Sequence, residues 1–313
     1  MKNQQNKMTY ISLFSSAGVG CYGFSMENFD CIATVEIIER RLNVQRHNKK
    51  CLYESGYIAD DIIKPETKEK IINEIDFWKK NHGLKDVDII LSTPPCQGMS
   101  IANHKKKNEL IRNSLVIESI NLVNQIRPKI FLFENVRAFL TTECTDLDNK
   151  NKPIREAIEL NLGGKYNIHY QVVNFKDYGN PSSRTRTLVI GVRKDIQEIT
   201  PLDIMPEARS GGTLRNAIGS LPSLNKMGEI SKTDIYHNFR PYGEHMIAWV
   251  EKIKEGQSAF DNEDPNRKPH QVKNGKIIYN ENKNGDKYSR CFWDKNAPCI
   301  HTRNDIFASQ STI

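Results

Sequence analysis

The apolar run Val87-Asp88-Ile89-Ile90-Leu91 is cut off by Pro94-Pro95, and Cys96 follows directly. A short apolar run bounded by turn residues reads as a buried strand. Proline has no amide hydrogen for a ladder, so two in succession force the chain out of a sheet in a stiff, extended turn. Cys96 therefore stands beyond the carboxyl end of a strand, where open α/β sheets place their ligands. A thiol presented there is a nucleophile candidate, and a small buried apolar cysteine is the plainer alternative.

Other segments repeat the pattern. Strands are predicted over Thr9–Phe14, over Cys31–Val35 ending at Glu36, at Tyr57–Ile62, over Ile130–Phe133, over Asn167–Phe175 and over Thr187–Val192. A helical pattern covers Ser114 to Gln125, with Leu115, Ile117, Ile120, Leu122 and Val123 available for packing. Strands alternating with helices predict an α/β fold with a doubly wound, mostly parallel sheet. Beyond Asp195 the chain is richer in Pro, Gly, Asn and Lys, with one amphipathic helix, Glu244 to Glu255, and a polar, strand-poor stretch from Asp261 to Asp286. The expected organisation is a catalytic domain over 1–195, a small lobe over 196–289 and the start of a further motif over 290–313.

Seven scattered cysteines without C-x-x-C spacing predict reduced thiols rather than a disulfide framework or a zinc site. The polar N-terminus has no apolar core of a signal peptide, and no run is long enough to span a bilayer, so a soluble cytoplasmic chain is expected. The net charge of +7 is compatible with a nucleic-acid partner. Its placement says more: Lys105-Lys106-Lys107 lies just past Cys96. Such a run is either a solvated loop or one that clamps phosphates.

Three further constellations carry chemistry. Gly18-x-Gly20-x-x-Gly23 follows the first strand, and Glu36 ends the second. Glycines allow close backbone approach to a ligand, and an acid at that strand end can accept ribose hydroxyls, as the adenosine of NAD or of S-adenosylmethionine requires. Glu134-Asn135 ends the fifth strand on the same sheet edge, where a carboxyl group can bond a flat heteroaromatic ring and pass it a proton. Arg184 and Arg186, spaced by two, point the same way on an extended segment and suit a phosphate or a carbonyl oxygen.

In order and spacing, residues 9 to 195 resemble the DNA (cytosine-5)-methyltransferases of restriction-modification type. Phe14 to Gly23 is similar to the cofactor motif, Glu36-Ile37 and Asp61-Ile62 to the ribose- and adenine-facing positions, and Pro95-Cys96-Gln97 to the catalytic Pro-Cys-Gln. Arg112-Asn113-Ser114-Leu115, Glu134-Asn135-Val136, Asp177-Tyr178-Gly179 and Arg184-Thr185-Arg186 match later motifs, and the resemblance returns weakly from Tyr288 to Ile300.

The resemblance implies a class I S-adenosylmethionine-dependent methyltransferase fold with a small target-recognition lobe, in a bacterial setting. It implies double-stranded DNA as partner, a flipped cytosine, no metal, and S-adenosylmethionine as cofactor. Catalysis would fall to Cys96, Glu134, Arg184 and Arg186. Cofactor contacts would come from Phe14, Ser15, Gly18, Gly20, Glu36, Ile37, Asp61, Ile62, Pro95 and Leu115. DNA contacts would come from Gln97, Ser100 and Lys105 to Lys107. Two departures stand out. Ser182 replaces the family's frequent Gln before the Arg-x-Arg pair, and the sequence reaches Ser311-Thr312-Ile313 inside the motif that braces the recognition lobe. A truncated chain, or a second polypeptide supplying the remainder, is therefore expected. A tRNA cytosine-5 methyltransferase is the near alternative; an NAD-dependent dehydrogenase leaves Cys96 and Glu134 without roles.

Overall fold

A computed structural model describes residues 7–95, 109–226, 228–238, 241, 243–279 and 288–299. Two compact units emerge, residues 1–173 with 185–206, and residues 174–184 with 207–313. The boundary expected at Asp195 falls inside the first of these, because Ile196, Ile199 and Ile204 continue to pack against its sheet.

The first unit is built on seven strands: β1 (Thr9–Leu13), β2 (Asp30–Glu36), β3 (Tyr57–Ala59), β4 (Ile89–Ser92), β5 (Ile130–Asn135), β6 (Tyr166–Asn174) and β7 (Thr185–Arg193). Their spatial order is β3-β2-β1-β4-β5-β7-β6. The ladders β1–β2, β1–β4, β2–β3 and β4–β5 are parallel, and β5–β7 is antiparallel. Every residue of β1 and β4 is buried, as expected of parallel strands covered on both faces.

Alternation along the strands sorts the core into two layers. Ile11, Leu13, Ile90, Phe131 and Phe133 join one cluster, while Tyr10, Ile89, Leu91, Ile130 and Val192 join the other. In chain order the helices of this unit are α1 (Tyr22–Met26), α2 (Glu39–His47), α3 (Pro65–His82), α4 (Glu109–Asn113), α5 (Leu115–Ile126) and α6 (Ile154–Leu162). Apolar residues of α3, α5 and α6 cover the first layer, and Leu42 of α2 joins the second. No described helix is long and apolar enough to cross a membrane.

From β1 the chain moves outward to β2 and β3, and later returns to lay β4 on the other side of β1. The carboxyl ends of β1 and β4 therefore border the point where strand order reverses, the place at which open α/β sheets form a ligand crevice. The glycine turn leaves β1 there and the Pro-Pro turn leaves β4.

The second unit holds α7 (Leu214–Ile218), α8 (Glu244–Val250) and a small cluster of Trp249, Ala259, Phe260 and Tyr288. The stretch expected to be strand-poor carries an antiparallel hairpin, His270–Lys273 with Lys276–Tyr279. The helix expected to reach Glu255 ends at Val250, and the turn beyond it buries Ile253.

Candidate active site

Backbone conformation shapes the turn after β1. Phe14, Ser16 and Gly18 all have positive φ, at 55°, 50° and 87°. At Gly18 the positive φ favours glycine, and an added Cβ would lie a tight 3.0 Å from the Gln45 Cγ. At Gly20 the nearest atom to an added Cβ is the Thr93 Cγ2, at 3.9 Å, which leaves room beside the Pro-Pro turn.

Ser15 helps to hold this turn. Its hydroxyl donates to the Val35 carbonyl (3.3 Å) and accepts from Thr34 Oγ1 (2.7 Å) and Gln45 Nε2 (2.8 Å). Gln45 also donates to the Ser16 carbonyl, and Lys50 Nζ donates to Gln45 Oε1 at 2.9 Å. Sequence reasoning missed Gln45, which lies on α2 at a distance from the glycine motif. A cavity of about 320 Å³ opens beside Gly18, Val19, Tyr22, Val44, Gln45 and Lys50, and Gly18 alone of the expected cofactor residues lines it.

Glu36 ends β2 and is 5% exposed. Its carboxylate accepts from the backbone N–H groups of Ser16 (2.9 Å) and Ile38 (3.1 Å) and pairs with Arg41 Nη1 at 3.2 Å. About four lone-pair positions are available, so room for one further donor remains, and more if Arg41 swings away. Ile37 beside it is 62% exposed, an apolar surface at the rim. Ile62 lies in the core cluster. Asp61 is half-buried and accepts from the Ile63 N–H at 3.1 Å through one oxygen. Its neighbour Asp60 bonds Lys64 and Lys70, which hold that carboxyl well below the usual range.

Asn135 links the ends of β5 and β4. It is 2% exposed; Nδ2 donates to the Pro94 carbonyl at 2.9 Å and Oδ1 accepts from the Val136 N–H at 2.8 Å. Thr93 ties the same turn to β1: its N–H donates to the Leu13 carbonyl and its hydroxyl to the Phe14 carbonyl. Pro95 is half-buried, and Leu115 opens α5 in a half-buried position. Cys96, Gln97, Ser100 and Lys105 to Lys107 lie outside the described residues.

In the β5–β7 ladder Glu134 faces Leu188, so Arg186, two residues along, is its diagonal neighbour on the same face. Arg186 Nε lies 3.0 Å from Glu134 Oε1, and Nη1 donates to the Thr185 carbonyl at 2.7 Å. Thr187, fully buried, donates to the carbonyls of Val136 and Arg137 and fastens the loop that follows Glu134. Arg184 takes a different place. It precedes β7 and belongs to the second unit, where Nη1 lies 3.4 Å from the Cys299 Sγ.

This sheet edge offers a carboxylate paired with a guanidinium, a fixed Pro-Pro turn and a glycine turn backed by a buried carboxylate. The family described as C-5 cytosine-specific DNA methylase matches residues 8–306. The chain is 30% identical to the Type II methyltransferase M1.HgaI of Avibacterium volantium, over 97% of this chain and 79% of that relative. It is also 30% identical to M1.HphI of Haemophilus parahaemolyticus, over 81% of this chain and 63% of the relative. Against M.XorII of Xanthomonas oryzae pv. oryzae the match is 29%, over 72% of this chain and 49% of the relative. A crystal structure described as a DNA modification methyltransferase encoded within an E. coli prophage superposes with a TM-score of 0.53 at 26% identity, covering 72% of this chain and 58% of that one. On these matches the chain belongs to the C-5 cytosine-specific DNA methylase family.

Proposed function

We propose that the chain transfers a methyl group from S-adenosylmethionine to C5 of a cytosine flipped out of duplex DNA, as the methylating member of a bacterial restriction-modification pair. The observation that carries this reading is the Asn135 Nδ2 bond to the Pro94 carbonyl, 2.9 Å, which couples the strand bearing Glu134 to the turn leading into Cys96.

The residues at the glycine turn fit the cofactor. Glu36 is a buried acceptor suited to a ribose hydroxyl, Ile37 offers an exposed apolar face to a flat base, and Gly20 leaves space at the turn. When bound, S-adenosylmethionine supplies an electrophilic sulfonium methyl. C5 of cytosine is too weak a nucleophile to take that methyl unaided. Cys96, as thiolate, adds to C6 and shifts an electron pair towards C5. Glu134 places a proton at N3 and so stabilises the adduct, while Arg186 orients Glu134 and the ring's O2 edge. After C5 is methylated, a base removes the C5 proton, the C6–S bond breaks and the thiolate returns. A base within a duplex cannot meet these groups, so the target is extruded first. The named relatives are Type II methyltransferases, which leaves the tRNA alternative without a supporting observation.

The test is covalent trapping. Duplex DNA carrying 5-fluorocytosine and S-adenosylmethionine are incubated with the chain and resolved on a denaturing gel. A DNA-linked band that disappears in Cys96→Ser is expected, because fluorine does not leave as a proton. Normal methyl transfer by Cys96→Ser overturns the reading.

A further inference from the structure

The hairpin in the second unit is a two-stranded ribbon with a free charged face. Asn274 and Gly275 turn it, with φ of 51° and 73°, the type I′ conformation that suits a two-residue hairpin. The ladder pairs His270 with Tyr279, Gln271 with Ile278, Val272 with Ile277 and Lys273 with Lys276. Residues opposite each other share a face, so His270, Val272, Ile277 and Tyr279 lie on one side. That side is anchored at its base: His270 packs against Trp249, ring centroids 5.5 Å apart, and against Tyr279 at 6.0 Å. The other side presents Gln271, Ile278, Lys273 and Lys276, all exposed.

Two features of the ribbon and the residues leading into it fit a polyanion. Residues 268–279 contain Lys268, Lys273 and Lys276 and no Asp or Glu. Lys273 and Lys276 are also directly opposed at the tip. Like charges directly opposed in a ladder destabilise it. A sequence that keeps such a conflict has a use for it elsewhere.

The geometry points to this ribbon as a sequence-reading element that enters the major groove of duplex DNA, Gln271 contacting a base edge and Lys273 and Lys276 the flanking phosphates. A two-stranded ribbon fits that groove, where a Gln amide matches the N6/N7 edge of adenine and an apolar side chain such as Ile278 can meet a thymine methyl. Phosphate contacts hold the register and base contacts supply the choice. The inference rests on the reading of duplex DNA as substrate, and it adds the residues that select the sequence.

The test reads binding, so it does not depend on turnover. The full chain is equilibrated with a random duplex library, the bound fraction is sequenced, and affinity is followed by anisotropy against salt. Wild type should enrich a motif. Gln271→Ala should flatten the preference at one base pair, by roughly 5- to 150-fold for a lost bidentate contact, with non-specific affinity unchanged. Lys273→Ala combined with Lys276→Ala should keep the motif but reduce the slope of log affinity against log salt by about 1.8, near 0.9 per phosphate. All three positions are exposed, so circular dichroism should match wild type. No enriched motif in wild type, or an unchanged motif in Gln271→Ala with an unchanged slope in the lysine variant, overturns the assignment. The 5-fluorocytosine gel reports separately. Trapping with an unaltered motif sinks the ribbon alone, and an altered motif without trapping sinks the catalytic reading alone.

Discussion

Replacing Asn135 by Ala removes both bonds that its side chain makes, the donor to the Pro94 carbonyl and the acceptor for the Val136 N–H. Asn135 and Pro94 are buried, so water does not readily replace the lost partners. An unsatisfied buried polar group costs about 1–3 kcal/mol, and the half-buried Val136 N–H lies at the low end of that range. A total of about 2–4 kcal/mol follows, a large share of the roughly 5–15 kcal/mol that a domain possesses. For a unit of this size the midpoint should fall by about 2–4 °C per kcal/mol, hence by about 4–16 °C in scanning calorimetry. Trapping on 5-fluorocytosine DNA should slow by about 100-fold, the order expected when a reacting group is displaced by about 1 Å. Asn135→Asp separates the two bonds, since it keeps the acceptor for Val136 but sets an oxygen against the Pro94 carbonyl. Both variants should trap slowly. If Asn135→Asp traps at the wild-type rate, the bond to Pro94 does not position the turn and the argument fails.

Glu134→Gln should lower single-turnover methyl transfer roughly 10²- to 10⁴-fold while DNA and cofactor binding stay within a few-fold, because a general acid is lost but the shape is kept; an unchanged rate denies Glu134 its proton role. Thr187→Val deletes the donor to the carbonyls of Val136 and Arg137 and should cost about 1–3 kcal/mol in urea unfolding. Burial, reinforced by Asp146, pushes the Cys144 thiol up to about 12. The native state then keeps a proton that the unfolded chain releases above about pH 8.5. Stability from this group is complete below that pH and is lost as pH rises towards 12, by up to about 1.4 kcal/mol per unit. Cys144→Ala should flatten the decline in urea midpoint between about pH 8 and 10, and equal slopes in the two proteins would remove Cys144 from the account.

The sheet was readable because its strands are short apolar runs ended by turn residues, and those of β1, β2 and β4 are buried almost throughout. The helix α3 is hidden in the sequence behind its lysines and glutamates, although Ile71, Ile75 and Trp78 stand at helical spacing and are buried. The hairpin at residues 270–279 is hard to see in the sequence for the opposite reason: an exposed ribbon has no apolar alternation to read. Its signal was Asn274-Gly275 between Val272 and Ile277. At the candidate site, Glu36, Glu134 and Arg186 were legible from their strand ends. Arg184 stands one residue before β7, which begins at Thr185. The contacts of the Ser15 side chain were not legible in the sequence, because one of them comes from Gln45, thirty residues away along the chain.

Glu134 and Arg186 stand on strands running in opposite directions, joined rung by rung from Ile130–Val192 to Asn135–Thr187. The ladder sets their separation, whatever length of chain connects them. Insertions or deletions between the two strands can accumulate over generations without moving carboxylate from guanidinium, whereas a slip of one rung would turn the arginine to the other side of the sheet. Tolerance of length and intolerance of register are two results of the same pairing.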